Sequence, residues 1–188
     1  MTCGERNRFF SAKGTGENAR PPSKIKSMTR MPSSEITPDQ DAIVGEVEVA
    51  APPDRVFLAL TDPAQLIRWW GDDICKTSVW EMDARLGGKW RFAASDPSGK
   101  IVVNGVRDFE AYGEITEFDP PHVLAYTWLG NWHDHPERPS MARWELSATK
   151  AGTRVKVTHS GLAVQPIARK DYAGGWPGLL ELLRKYCE

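Results

Sequence analysis

The chain has 188 residues, a formal charge of −1 and 26% charged residues, a balance that gives no electrostatic case for a nucleic-acid or anionic-membrane partner. Its three cysteines, Cys3, Cys75 and Cys187, lie far apart with no metal-type spacing, which points to a reduced, cytoplasmic protein of one domain plus an extension. No apolar run approaches the roughly 18 residues of a membrane span; the compositional oddity is eight tryptophans, the mark of a bulky core or of a cavity lining.

Residues 1–40 read as a disordered leader, rich in Gly, Pro, Ser and charge, with no apolar period. Seven basic residues stand against Glu5 and Glu17 before residue 31. A transit peptide, a flexible tail and an upstream start ahead of Met28 or Met31 all fit that pattern, and the sequence leaves them open.

The domain is expected over 41–188. Ile43 to Ala50 alternates as a first strand. In APPDRVFLALTDPAQLIRWWG, Pro52 and Pro53 open a helix whose stripe is Val56, Phe57, Ala59 and Leu60. Thr61 or Asp62 caps a second short helix with Leu66, Trp69 and Trp70 facing inward, and Gly71 ends it. About six strands follow: Val79–Met82, Lys89–Ser95, a long bent Ile101–Phe118, His122–Leu129, Met141–Thr149 and Thr153–Leu162. The tail GGWPGLLELLRKYCE reads as one amphipathic helix from residue 174, with Pro177 in its first turn and Trp176, Leu179, Leu180, Leu183 and Tyr186 on one face. An antiparallel sheet cannot close a core alone, so the economical arrangement is α+β, a curved sheet gripping that last helix.

The ordered set VEVAAPPDRVFLALTDPAQLIRWWG, EMDARLGGKWRF, EITEFDPPHVLAYTW, TRVKVTHSGL and GWPGLLELLRKY resembles the SRPBCC (START/Bet v 1-like) superfamily. Within it the chain is most similar to the branch named after the C-terminal domain of the activator of heat-shock protein 90 ATPase. The resemblance spans about residues 43–187 and implies a helix-grip fold, with about seven antiparallel strands around the C-terminal helix and an apolar cavity between them. It also implies a small hydrophobic partner, lipid-, polyketide- or aromatic-like.

In that arrangement the candidates for lining the cavity are Trp69, Trp70, Trp90, Phe92, Tyr126, Trp128, Trp144, Trp176, Leu179 and Leu183, each weighed against simple core filling. His159 shares the inward face with Val155 and Val157. It is the one candidate for ligand orientation or general-base work, against a structural role bonding a backbone group or a Ser hydroxyl. The stretch NWHDHPERPS, with His133, Asp134, His135 and Glu137, lacks further ligands at a recognised spacing and reads as a lid or a plain hairpin connection. No metal or other cofactor is expected, and no phosphate loop, nucleophile elbow or HExxH motif is present.

The leading expectation is therefore a hydrophobic-ligand binder. A cyclase- or hydrolase-like enzyme using a cavity residue such as His159, or a carboxylate from the cavity wall, comes second. A co-chaperone-type interaction module comes last, since only about 40 residues precede the domain. A homodimer through the convex sheet face stays open.

Overall fold

The computed structural model describes residues 32–71 and 75–188. In chain order the elements are β1 (Ser33–Ile36), β2 (Ile43–Val49), α1 (Pro53–Thr61), α2 (Pro63–Trp69), β3 (Lys76–Met82), β4 (Lys89–Ser95), β5 (Asp108–Asp119), β6 (Val123–Gly130), β7 (Ser140–Thr149), β8 (Gly152–Ser160) and α3 (Pro166–Cys187). The strands form one antiparallel sheet in the order β1-β2-β8-β7-β6-β5-β4-β3, and α3 packs across it, which is the helix-grip fold. Among the described residues no helix is long and apolar enough to cross a membrane.

Alternation does most of the positioning. Ile43, Gly45, Val47 and Val49 of β2 are buried while their neighbours are half-exposed, and β7 and β8 repeat the pattern with Ala142, Trp144 and Leu146 and with Val155, Val157 and His159. Asp62 caps α2 by accepting from the Ala64 N–H at 2.9 Å. Facing the sheet, Ala168, Tyr172, Trp176, Leu180 and Leu183 form the buried stripe of α3. Each fully enclosed indole withdraws on the order of 200 Å² from water, an upper bound of about 5 kcal/mol. With Trp90 and Trp144 almost wholly buried, aromatic burial dominates this core.

Three expectations are corrected. First, Ser33–Ile36, read from the sequence as part of a disordered stretch, pairs with Ile43–Glu46 as an eighth, edge strand; residues 1–31 lie outside the described residues. The strand is short and polar, and it is held by backbone pairing that leaves no apolar period to read. Second, Ile101–Arg107 is not part of β5. A small turn closed by the Val103–Val106 bridge, with Gly105 at φ 78°, separates it from the strand. Third, α3 begins at Pro166, so Pro177 sits inside the helix and not in its first turn. The inward stripe at 168, 172, 176, 180 and 183 runs straight through the Gly-Gly and the proline, and burial of that stripe overrides their local helix-breaking tendency.

Candidate functional site

Gly45 lets α3 lie down on one flank of the sheet. A Cβ there would stand 3.0 Å from Leu180 Cδ1 and 3.2 Å from Val157 Cγ1, so the helix can approach β2 closely only because residue 45 has no side chain. On the opposite flank, toward β3 and β4, the helix does not meet the sheet in the same way, and a cavity of about 580 Å³ opens there. Thr77 of β3, Phe92 and Ala94 of β4, Ile101 and Val103 of the turn, Phe109, Trp128 and Trp132 form its walls. Trp70 and Cys75 complete them.

The side of the cavity formed by α3 carries Asp171, Tyr172, Gly174, Gly175, Trp176, Gly178, Leu179, Glu181, Leu182 and Lys185. At Gly174, Gly175 and Gly178 an added Cβ would meet nothing within 4 Å. All three glycines are exposed, and each interior glycine costs a helix about 1 kcal/mol relative to alanine, so this stretch of α3 gives up stability along the open edge of the hollow.

Of the residues singled out in the sequence, Trp70, Phe92, Trp128, Trp176 and Leu179 line the cavity. Trp69, Trp90, Tyr126, Trp144, Leu183 and His159 do not; they are packed into the core. The core indoles are bonded within the protein: Trp69 Nε1 to the Ala59 carbonyl at 2.9 Å, Trp90 Nε1 to the Thr127 carbonyl at 3.0 Å, and Trp144 Nε1 to Tyr126 Oη at 3.0 Å. Strand alternation identifies an inward face but not how deep along that face the solid core ends, which is why the expected lining divides in two.

His159 is fully enclosed. Ser140 Oγ donates to the Trp128 carbonyl at 3.1 Å, so His159 Nε2 carries the proton and donates to Ser140 Oγ at 2.7 Å. The rings of Tyr172, Trp176 and Trp128 surround the imidazole at centroid distances of 4.3, 5.8 and 5.9 Å. Burial first, and the nearby His133 second, depress its pKa to about 3, so the ring is neutral at neutral pH. Its geometry is that of the structural alternative, a histidine bonding a serine hydroxyl, with no opening to the cavity.

Sequence reasoning passed over Tyr172 and Trp132, and read His133 only as part of a connecting loop. Tyr172 lies on the inward stripe of α3 one turn before Trp176, a signal hidden because the helix was expected to begin at residue 174. Tyr172 Oη and His133 Nε2 are 2.7 Å apart in a buried bond, and the indole N–H groups of Trp128 and Trp132 point toward the same phenol oxygen without reaching hydrogen-bond geometry. Burial, and then the Asp171 carboxylate, raise the Tyr172 pKa, so the phenol stays protonated and donates to the imidazole. Burial lowers His133 to about 4, against the opposing pull of Asp134.

The 131–140 connection neither covers the cavity as a lid nor gathers ligands. His133 turns inward to Tyr172. Asp134 caps the start of α3, accepting from the Ile167 N–H at 3.0 Å and the Ala168 N–H at 3.2 Å, where a carboxylate is favoured at a helix N-terminus. Gln165 clamps the same loop, accepting from the His135 N–H at 2.8 Å and donating to the His135 carbonyl at 3.0 Å. Among the described residues no group of three or more His, Cys, Asp or Glu is arranged to hold a metal.

Comparison with known proteins agrees with this architecture. The model of the family described as Activator of Hsp90 ATPase homolog 1-like protein matches residues 50–188. Similar solved structures include a Rhodobacter sphaeroides protein, 19% identical over 82% of this chain and 94% of that one, with a TM-score of 0.66. Protein Ms6760 of Mycobacterium smegmatis is 21% identical over 81% and 94%, at 0.67. The AHSA1-like protein of Aeromonas hydrophila is 20% identical over 77% and 90%, at 0.60. At these identities the likeness shows the shared fold. No curated protein matches the chain by sequence.

Proposed function

The chain belongs to the Activator of Hsp90 ATPase homolog 1-like family, and from that premise we propose that it binds a small hydrophobic molecule in the cavity beside α3. The observation that carries this reading is the pairing of an aromatic lining with three glycines on the cavity side of α3. Trp70, Phe92, Phe109, Trp128, Trp132, Tyr172 and Trp176 line, together with Gly174, Gly175 and Gly178, a hollow of about 580 Å³, within the usual size range for small-molecule sites. Rings in that number suit an apolar guest, with stacking added where the guest is flat.

The test is to fill the hollow. N-phenyl-1-naphthylamine, an uncharged fluorescent probe, should bind the wild type at micromolar concentration and quench tryptophan emission. Gly175→Leu combined with Gly178→Leu should abolish that binding while leaving far-UV circular dichroism unchanged and the melting temperature no lower. Unaltered probe binding in the filled variant, or none in the wild type, sinks the proposal. Organic extraction of the purified protein with mass spectrometry would then identify a natural occupant.

A further inference from the structure

The charged side chains that line the cavity are unequal. Glu181 is held by Arg184 in a two-pronged pair at 2.6 and 2.8 Å, and Lys185 lies 3.6 Å from the same carboxylate, so those charges are already compensated. Asp171, some ten residues earlier on the helix, makes no hydrogen bond or ion pair among the described residues. Its neighbour Arg169 is turned away, donating to the Gln40 carbonyl at 2.7 Å. Asp171 is still open to solvent, yet the apolar surroundings raise the pKa of its carboxyl above the ordinary value, the sign of a carboxylate lacking a counter-charge.

Asp171 acts electrostatically on the adjoining Tyr172, and the same cavity is lined by rings in mutual contact: Phe109 edge-on to Trp132 at 5.5 Å, and Trp132 tilted on Tyr172 at 6.0 Å. An uncompensated carboxylate beside several π-faces attracts an organic cation by two independent forces, Coulombic and quadrupolar, and it repels an anion by both. A neutral hydrocarbon uses neither. Toward the other end of the helix Leu179 and Leu182 add apolar surface beside the already paired Glu181 and Lys185, and residues 171 to 182 span about 16 Å of helix, long enough for an extended ring system.

Resting on the reading of this cavity as a ligand site, we infer that its preferred occupant is an aromatic amine or quaternary ammonium compound. Its flat apolar body lies along Gly174, Gly175 and Gly178, and its cationic head sits beside Asp171, Trp132 and Tyr172. The recognition is non-covalent and leaves the ligand unchanged.

A pair of probes of equal shape isolates the charge: 2-naphthyltrimethylammonium and 2-tert-butylnaphthalene, titrated by tryptophan quenching into wild type, Asp171→Asn and the Gly175→Leu, Gly178→Leu variant. The cation should bind the wild type at least tenfold more tightly than its neutral counterpart. Asp171→Asn should remove most of that preference while leaving the neutral probe unaffected, and the filled variant should bind neither. Equal binding of the two probes by the wild type, or a preference that survives Asp171→Asn, overturns the inference and leaves the cavity reading standing. Binding of neither probe by the wild type overturns both.

Discussion

Ser34 Oγ donates a 2.9 Å hydrogen bond to the carbonyl of Ala173, the one carbonyl in α3 that Pro177 deprives of its helical N–H. A proline at i removes the donor for i−4, and here a hydroxyl from the edge strand β1 replaces it across 139 positions of sequence. Ser34→Ala should therefore lower stability by about 1 kcal/mol in urea denaturation. In a Pro177→Ala background the amide returns, and the same change should cost much less. A double-mutant cycle measures this coupling, and equal costs in both backgrounds would refute the compensation.

The glycines of α3 make an opposite prediction. Gly174→Ala and Gly178→Ala each place a methyl in open space and should stabilise the protein by about 1 kcal/mol through helix propensity alone. Chemical denaturation checks this, and destabilisation at either position would mean the space is smaller than described.

Acid should weaken the fold well above the carboxylate range. His133 and His159 fall from an ordinary 6.5 to about 4 and about 3 in the folded protein, both chiefly through burial. Below pH 6.5 the unfolded chain takes up protons that the native fold refuses. The stability held above pH 6.5 is therefore lost as pH falls toward 4 for His133 and toward 3 for His159, at up to about 1.4 kcal/mol per pH unit for each group. Urea midpoints at pH 7, 6 and 5 test it; a flat profile across that interval would contradict neutral, enclosed rings.

Asp96 acts lower on the scale. Its carboxylate accepts from the Ser98 hydroxyl and from the N–H groups of Ile101, Lys100 and Ser98, which hold its pKa near 2 against an ordinary 3.8. Stabilisation from this turn is present above pH 3.8 and disappears as pH falls through 2. Asp96→Asn should accordingly differ most from wild type above pH 4 and converge with it near pH 2. A gap of constant size across that interval would show the charge to be irrelevant.

Much of this architecture could be read from the chain because burial writes periodicity. The 2-residue rhythm of Ile43–Val49 and of Thr153–His159, and the 3–4-residue steps through Trp176, Leu180 and Leu183, stand in the order of the residues alone. What escaped was held by other means. Ser33–Ile36 is kept in place by strand pairing and the Ser34 hydroxyl, which leave no apolar trace. Tyr172 was missed because Gly174, Gly175 and Pro177 mimic a helix start. The division of the tryptophans into core and cavity depends on the close contact of Gly45 with Leu180, a long-range fact that no window of sequence contains.

Helix α3 is also moored at both ends: Asp134 and Gln165 hold its beginning, while near its finish Arg55 Nη2 donates to the Tyr186 carbonyl at 3.1 Å and Glu188 accepts from the Ala50 N–H at 3.2 Å. A guest therefore has no swinging door to push. It reaches the hollow along the exposed side of the helix, where Asp171, Gly174, Gly175 and Gly178 stand open to solvent, so filling and emptying require no unlatching of either end.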